Sequence, residues 1–296
     1  MRSQHLLALA REGDLDALGR ERMVVAEAVR ELAQMGDAAS ALELVGRAWR
    51  IWFVRGELDD GSTVAATALA AAGAESVPLW QTRVLYADGM FAFRAGDQQR
   101  SLARNEEALR IARISGDVRG ECDALTGLAR VALRDARYDD VVALAHDARE
   151  SARRVGDLAA EASPLHLEAA GMRLQQKYAA ARELYLESLE LNDSLGNEAG
   201  VAMELHNLGW VELHLGNIDE AEVRFRTREG HAGIDAYGSA WSNLNEAAIA
   251  VVRGDASEAQ RRFNAGEQAL DGLGAALDPD DQFEFDWLSA HFAKAP

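Results

Sequence analysis

The sequence of 296 residues contains a single cysteine and no long hydrophobic run. Cys122 cannot form an internal disulfide, and its place on an apolar helical stripe predicts a small buried residue. The longest apolar run falls well short of the roughly 20 residues that a membrane-spanning helix needs. The first residues also lack the apolar centre and cleavage site of a secretory signal. We therefore expect a cytoplasmic protein with no membrane partner.

Net positive charge is also lacking, because 49 Asp and Glu residues outnumber 31 Lys and Arg residues and leave a net charge of −18 at pH 7. A surface of this sign repels nucleic acid and anionic membranes, while it keeps the molecule soluble. We therefore expect no nucleic-acid partner. The charge leaves protein and peptide partners open.

Local catalytic motifs are missing as well. The glycines stand at helix contacts and turns rather than in a phosphate-binding loop after a strand. The sequence has no serine nucleophile elbow, no paired Cys and His, and no HExxH pattern. We therefore expect a protein that is not an enzyme and needs no cofactor. The exception would be an active site assembled across several repeats, which leaves no local motif.

Runs of alternating apolar and polar residues, which are typical of strands, are absent, whereas turn signals recur regularly. Five turns follow one another at intervals of 40 residues. They are Gly56-Glu57, Gly96-Asp97, Ala136-Arg137, Gln176-Lys177 and Gly216-Asn217. A second series, including Gly116-Asp117 and Gly156-Asp157, lies halfway between them. Each half-period therefore fits one helix, which ends at a left-handed residue and precedes an Asp or Asn cap.

These turns predict helix pairs in one continuous array. The pairs are 1–35, 37–73, 77–115, 117–155, 157–195, 197–230 and 235–272, followed by one helix at 280–293. We expect a single all-α solenoid over 1–296, with an N-terminal cap pair at 1–35, repeats at 37–272 and a C-terminal capping helix at 280–293. Pro164 falls within a predicted helix, so that helix should start at Ser163 or kink at the proline.

The stretch 197–229 carries a repeat pattern that resembles a known family. Leu205, Leu208 and Gly209, followed by Ala221 and Phe225, have the spacing of a tetratricopeptide repeat. The chain resembles the elongated repeats of kinesin light chains, Pins-type spindle adaptors, Rap-type peptide-sensing regulators and bacterial multidomain ATPase regulators. This resemblance implies a right-handed α-solenoid of helix-turn-helix repeats. HEAT-type repeats share the period of about 40 residues and are the alternative architecture.

The resemblance also implies a binding surface, because the first helix of every pair lines the concave groove in such arrays. On the helix at 197–215, the residues opposite the packing stripe are candidates, and subtracting multiples of 40 extends the set. The predicted groove residues are Arg50, Phe53, Arg83, Tyr86, Met90, Phe93, Arg94, Arg130, Arg134, His166, Arg173, His206, Asn207, Trp210 and His214.

The groove candidates are basic and aromatic within an acidic protein. Arg130 and Arg134 are one helical turn apart, where like charges repel unless an anion lies between them. We therefore predict an interaction module whose groove binds an acidic or anionic peptide or partner segment. The competing interpretation is that each arginine is neutralised by a neighbouring carboxylate such as Asp88, Asp123 or Asp135.

Two other functions compete with the interaction module. A regulatory sensor of signalling or transcription could bind a small anionic effector or a signalling peptide in the same groove, and should compact on binding. The second alternative is a catalytic helical-repeat protein. A metal site is not expected, because His206 and His214 are about 12 Å apart along one helix and His166 lies in the neighbouring repeat.

The last predicted helix carries more aromatic rings than one face can hold. Phe283, Phe285, Trp287 and Phe292 distribute large side chains over more than one side of it. A terminal cap needs only one apolar face, so the remaining rings should be covered by something else. We therefore predict self-association, with a homodimer formed through this C-terminal helix.

Overall fold

The computed structural model describes residues 2–231, 236–273 and 277–292. Within these ranges all regular structure is helical, which confirms the predicted all-α fold of helix-turn-helix repeats. None of the helices described is both long and apolar enough to cross a membrane. The predicted boundaries at residues 235 and 293 lie outside the described ranges.

The first part of the chain forms six α-helices before a short 3-10 turn at Ala74–Ser76. They are α1 (Arg2–Glu12), α2 (Leu15–Arg20), α3 (Arg22–Gln34), α4 (Ala38–Ala48), α5 (Arg50–Phe53) and α6 (Leu58–Leu69). Two helices that the sequence predicts as continuous are thus divided, one at Glu21 and one at Trp49.

The remaining helices are longer and follow the predicted period. They are α7 (Pro78–Arg94), α8 (Gln98–Ser115), α9 (Val118–Arg134), α10 (Tyr138–Arg154), α11 (Leu158–Leu174), α12 (Tyr178–Ser194), α13 (Glu198–His214), α14 (Ile218–Glu229), α15 (Ala236–Arg253), α16 (Ala256–Leu273) and α17 (Pro279–Phe292). The starts of α7, α9, α11 and α13 are each 40 residues apart. Local capping chemistry therefore sets the repeat.

The predicted turns adopt left-handed backbone conformations. Gly96 has a φ of 83°, and Ala136 and Gln176 take φ values of 55° and 59° although they have side chains. The Asp97 side chain then accepts a hydrogen bond from the Arg100 N–H at 3.0 Å and caps α8. These contacts confirm left-handed turns at the predicted positions, and they show that a side-chain cap can start the next helix.

Pro164 lies inside α11 rather than at its start. The helix begins at Leu158 because the Asp157 side chain accepts a hydrogen bond from the Ala160 N–H at 2.9 Å and fixes the first turn. The predicted start at Ser163 is therefore wrong. A kink at Pro164 stays a prediction.

The chain divides into two compact units. Unit 1 comprises Met1–Val131 and Asp147–Ala160, and unit 2 comprises Ala132–His146 and Glu161–Pro296. The core of unit 1 includes Trp52 and Phe91, each 1 % exposed. Trp210, in the core of unit 2, is fully buried. The single solenoid expected over 1–296 stays a prediction.

Glycines allow the two helices of a pair to approach closely in each unit. In unit 2, a Cβ atom on Gly209 of α13 would overlap the Phe225 ring of α14. In unit 1, a Cβ atom on Gly89 of α7 would overlap the Asn105 side chain of α8. Glycine therefore serves the close helix contact that the tetratricopeptide pattern predicts.

Candidate functional site

The predicted binding residues of unit 2 are covered by the last helix of the chain. We define the first-helix face of unit 2 by Arg173 of α11, by His206, Trp210 and His214 of α13, and by Tyr237 of α15. Each of these side chains contacts a residue of α17. The acidic and aromatic side chains of α17 therefore lie where the sequence predicts a bound acidic segment.

Arg173 is the centre of the polar contacts on this face. Its side chain is fully buried, and it donates to Asn207 Oδ1 at 3.0 Å and to Asp280 Oδ2 at 3.1 Å. Glu284 Oε1 lies 3.6 Å from its Nη1 atom. Burial opposes the charge of Arg173, but the Tyr185 phenol and the carboxylates of Glu284 and Asp280 raise its pKa above the ordinary value. Arg173 therefore remains a cation.

Glu284 is the most deeply buried carboxylate of α17. Its side chain is fully buried, and its Oε2 atom lies 2.7 Å from Nε2 of His214. The His214 ring stacks on Tyr178 with the ring centroids 4.6 Å apart, which holds the imidazole in place. Glu284 is therefore bound between an imidazole and the guanidinium of Arg173, as a buried charge requires.

Asp281 makes a second set of polar contacts. It lies 3.6 Å from Nε2 of His206 and accepts a hydrogen bond from the Tyr237 hydroxyl. The Asn245 amide donates to Nδ1 of His206 at 3.3 Å, which leaves the Nε2 proton directed at Asp281. Burial lowers the pKa of His206 despite this carboxylate. Burial alone would raise the pKa of Asp281, but its contacts with His206 and Tyr237 hold this pKa below its ordinary value.

Aromatic contacts complete the attachment of α17 to the first-helix face. Trp210 is fully buried and meets Trp287 edge-on, with the ring centroids 5.9 Å apart. The Trp210 ring also meets Trp241 of α15 edge-on at 6.2 Å. Leu288, the next residue of α17, is fully buried. The face therefore combines cationic and aromatic groups, as recognition of an acidic aromatic segment requires.

The four aromatic rings of α17 have neighbours within unit 2. Phe285 and Phe292 lie 5.7 and 4.6 Å from Phe263 of α16, measured between ring centroids. On the other side, Phe283 and Trp287 lie near His214, and all four rings are partly buried. Their distribution over several sides thus reflects contacts with two elements of the same chain. These contacts explain the distribution of the rings without self-association, and the homodimer stays a prediction.

The predicted residues of unit 1 have a different environment. Arg50 and Arg94 are exposed, and their guanidinium groups lie 5.0 Å from the ring centroids of Trp49 and Phe53, respectively. Arg94 also donates to the Phe53 carbonyl at 2.8 Å. In the 40-residue register, Arg50 corresponds to Trp210 and Arg94 to His214. We call Arg50, Phe53, Tyr86, Phe93 and Arg94 the first-helix face of unit 1.

Tyr86 lies among charged groups on this face. Its ring is half-buried and meets the Trp49 ring edge-on at 6.0 Å. Burial and Asp123 raise the pKa of its hydroxyl, and Arg130 and Arg50 act in the opposite direction. Phe93 is half-buried, whereas Met90 is 7 % exposed and belongs to the core. The apolar and basic groups of unit 1 are therefore close together.

The neighbouring carboxylates account for the groove arginine Arg83. Arg83 binds Asp123 at 3.0 Å and Asp117 at 3.2 Å, so its position is explained by ion pairs within unit 1. Asp88, by contrast, binds Arg100 and Arg104, which are not groove candidates. Neutralisation by the predicted carboxylates thus describes Arg83, and Asp123 also interacts electrostatically with Arg50. The Arg94 guanidinium instead lies over the Phe53 ring.

The other predicted residues of unit 2 are distributed over different contacts. His166 lies 3.1 Å from Glu204, which also accepts a hydrogen bond from Ser188 at 2.7 Å. This network connects α11, α12 and α13. Asn207 is buried against Arg173, and Arg134 is half-buried at the end of α9. His166 therefore has a role in packing between repeats.

Sequence reasoning missed the residues of α17 that occupy the face. The sequence prediction assigns Trp287 to self-association and gives Glu284 no role. A usable signal was present, because these residues place carboxylates and a tryptophan at the helical spacing of one face. The sequence does not indicate which surface they contact.

Comparisons with known proteins agree with the repeat architecture. No protein-family model and no curated protein sequence matches the chain significantly. Among solved structures, the apo form of RapI has a TM-score of 0.68 at 11 % identity and covers 93 % of this chain and 99 % of its own. The chain has a TPR-like helical-repeat fold. The resemblance to Rap-type proteins is thereby confirmed at the level of the fold.

Two further structures have the same architecture. NprR in complex with its cognate peptide NprX has a TM-score of 0.62 at 14 % identity, covering 95 % of this chain and 84 % of its own. Aspartyl phosphate phosphatase F from Bacillus subtilis has a TM-score of 0.60 at 12 % identity, covering 87 % and 70 %. At these identities the likeness concerns the fold alone.

Proposed function

We propose that this chain is a non-enzymatic peptide-binding module that takes an acidic, aromatic segment on the first-helix face of unit 1. The observation that carries this proposal is α17 of unit 2, an acidic helix bound through Arg173, His206 and His214. The chain thus contains one example of the ligand that such a face accepts.

Unit 1 offers related chemistry, with Arg50 and Arg94 exposed on its first-helix face. Both arginines are exposed at the repeat positions of Trp210 and His214, which contact α17 in unit 2. Their guanidinium groups lie over aromatic rings, which limits their motion and leaves N–H donors for a carboxylate. An acidic peptide with an aromatic residue would satisfy the donors and bury ring surface.

The comparisons support the ligand class and leave catalysis to experiment. NprR was solved with a cognate peptide, which supports a peptide as the ligand. One similar structure is called a phosphatase, so the fold occurs with an enzyme name as well. We propose no reaction for this chain, because its sequence carries no local catalytic motif. A sensor of a small anionic effector would use the same arginines but would not require the aromatic part of a peptide.

A titration with a defined peptide tests this proposal. The probe is a fluorescein-labelled peptide, DPDDQFEFDWLSAHF, with the sequence of residues 278–292. We expect the Arg50→Ala, Arg94→Ala double variant to bind it at least about ten-fold more weakly than the parent chain, with a flatter salt dependence, because two charge-assisted contacts are lost. Fluorescence anisotropy at two salt concentrations measures both effects.

The control removes two arginines elsewhere in unit 1. Arg30 on α3 and Arg110 on α8 are exposed, so Arg30→Ala, Arg110→Ala changes the net charge equally. Its affinity should stay within about two-fold of the parent, because distant surface charges contribute little. Equal affinity of the Arg50, Arg94 double variant and this control, with both folded by circular dichroism, would contradict the site in unit 1.

A homodimer is the second use of the same chemistry. In such a dimer α17 would leave unit 2 of its own chain, where Asp280, Asp281 and Trp287 are bound, and would take the first-helix face of unit 1 in another copy. Sedimentation velocity should then detect a dimer that Arg50→Ala, Arg94→Ala dissociates. A parent chain that is monomeric at high concentration contradicts the homodimer but leaves peptide binding unaffected.

A further inference from the structure

We infer that the first-helix face of unit 2 is itself a receptor site for an acidic, aromatic helical segment, and that α17 is its resident competitor. This inference deepens the proposed function by assigning a second site and its regulation. It concerns unit 2 only, so it holds or fails separately from peptide binding by unit 1.

The contacts of α17 are those of a recognised ligand. Three of its carboxylates face Arg173, His206 and His214, and Trp287 contacts Trp210. Protein interfaces concentrate binding in aromatic and charged anchors of this kind. The helix also packs the apolar residues Phe285, Leu288 and Phe292 against unit 2, so its anchors combine charged and apolar groups. In α17 the two fully buried side chains are Glu284 and Leu288.

The uncovered face would be compatible with water. Arg173, His206 and His214 are polar groups that would exchange carboxylate partners for hydration if α17 left. Trp210 would lose its cover from Trp287, and Phe263 would lose its cover from Phe285 and Phe292. Trp210 would keep its contact with Trp241, and exposure of a few rings is tolerable for a folded protein. An open form of the face is therefore accessible.

The spacing of the contacting residues along α17 defines the class of ligand that the first-helix face of unit 2 would bind. Asp280, Asp281, Glu284, Trp287 and Leu288 lie along one side of α17, so the required pattern is two carboxylates, a third one turn later, and an aromatic and an aliphatic residue in the following turn. This is recognition of an amphipathic helix whose polar anchors are acidic. A partner protein segment with this pattern would compete for the same groups.

Competition within one chain has a quantitative consequence. A tethered helix acts at a high effective concentration, so a free peptide binds a covered face weakly. Its apparent affinity is the intrinsic affinity multiplied by the fraction of molecules whose face is open. Any substitution in α17 that weakens the resident helix should therefore strengthen binding of a free peptide by the same factor.

The test weakens the resident helix in the full-length chain. Glu284→Gln removes the charge that faces Arg173 and His214, whereas Asp286→Asn removes a charge from an exposed position of the same helix. With the labelled 278–292 peptide, we expect Glu284→Gln to bind at least about ten-fold more tightly than the parent chain. Asp286→Asn should bind as the parent does. Trp287→Ala should give the same gain if Glu284→Gln does not fold.

Variants on the receptor side identify the face that binds the peptide. In the Glu284→Gln background, we expect His214→Ala to abolish the gain and Arg50→Ala, Arg94→Ala to retain it. The inference is overturned if folded Glu284→Gln and Trp287→Ala chains bind the peptide no better than the parent. It is also overturned if the gain disappears with the Arg50 and Arg94 substitutions but persists with His214→Ala, which would assign the peptide to unit 1 and support the proposed function alone.

Discussion

The first-helix faces of the two units carry related side chains in different states. In unit 2, Arg173 is fully buried and binds carboxylates of α17. In unit 1, Arg50 and Arg94 are exposed and lie over aromatic rings. The repeat register places basic and aromatic groups on this face in both units, although the residue types at equivalent positions differ. Whether such a group stabilises the fold or stays available for a ligand depends on what covers it.

The largest expected difference between the units is in stability. Arg173→Ala leaves Glu284 buried without its guanidinium partner, so we expect the free energy of unfolding to fall by about 3–5 kcal/mol. Arg50→Ala, at an exposed site, should change it by less than about 0.5 kcal/mol. Urea denaturation followed by circular dichroism measures both. Equal losses in the two variants would mean that the two faces do not differ as described.

The side of the first helix that packs against the second helix should tolerate an added Cβ atom equally poorly in both units. Gly89 of α7 and Gly209 of α13 occupy the same repeat position, and an added Cβ would approach the Asn105 amide and the Phe225 ring, respectively. We expect Gly89→Ala and Gly209→Ala each to lower the free energy of unfolding by about 1–3 kcal/mol through overpacking. Thermal and urea denaturation test this. A loss in one unit only would show that the units also differ in helix packing.

The two faces should contribute differently to the pH dependence of the free energy of unfolding. Burial lowers the pKa of His206 below its ordinary 6.5, so its neutral form stabilises unit 2 above that pH, and this stability is lost as the pH falls through the lowered value. The low pKa of Asp281 adds a loss at more acidic pH. Tyr86, at the corresponding position of unit 1, has a raised pKa and does not titrate there.

Substitution of the histidine isolates this effect. We expect the free energy of unfolding of the parent chain to decrease between pH 7.5 and pH 5.5, and His206→Gln to decrease less over the same range. Tyr86→Phe should keep the dependence of the parent chain. Denaturation curves at several pH values measure the slopes. Identical slopes for the parent and His206→Gln would place the titrating groups elsewhere.

The smallest expected effect concerns the turns. Ala136 and Gln176 adopt left-handed conformations that glycine occupies at Gly96. Ala136→Gly and Gln176→Gly should each stabilise the chain by roughly 0.5–1 kcal/mol, because the left-handed state strains a residue with a Cβ atom. Gly96→Ala should destabilise by a similar amount. Melting temperatures test these changes, and a destabilising glycine at 136 or 176 would indicate that chain entropy outweighs the strain.

The fold was largely predictable because its determinants are local. The left-handed turns and the side-chain caps act within a few residues, so a 40-residue repeat of turn signals places α7 to α13 nearly to the residue. Pro164 misled the prediction of one helix start, since the Asp157 cap precedes it. Proline in the interior removes one hydrogen bond, whereas the cap and the packing of neighbouring helices act on the whole of α11.

The site was predictable only in part. The repeat register placed Arg173, His206 and His214 on one face, and α17 contacts all three. It also included Arg83, which binds Asp117 and Asp123, because register does not distinguish a free donor from the partner of a carboxylate.

The sequence by itself determined the helices, their period, and the basic and aromatic character of the first-helix positions. Tertiary structure decided that α17 covers those positions in unit 2. Its contacts join Arg173 to Asp280 across 107 residues and His214 to Glu284 across 70, separations for which no local pattern exists. Such pairs form because buried charges must find partners, and burial is a property of the folded chain rather than of any segment.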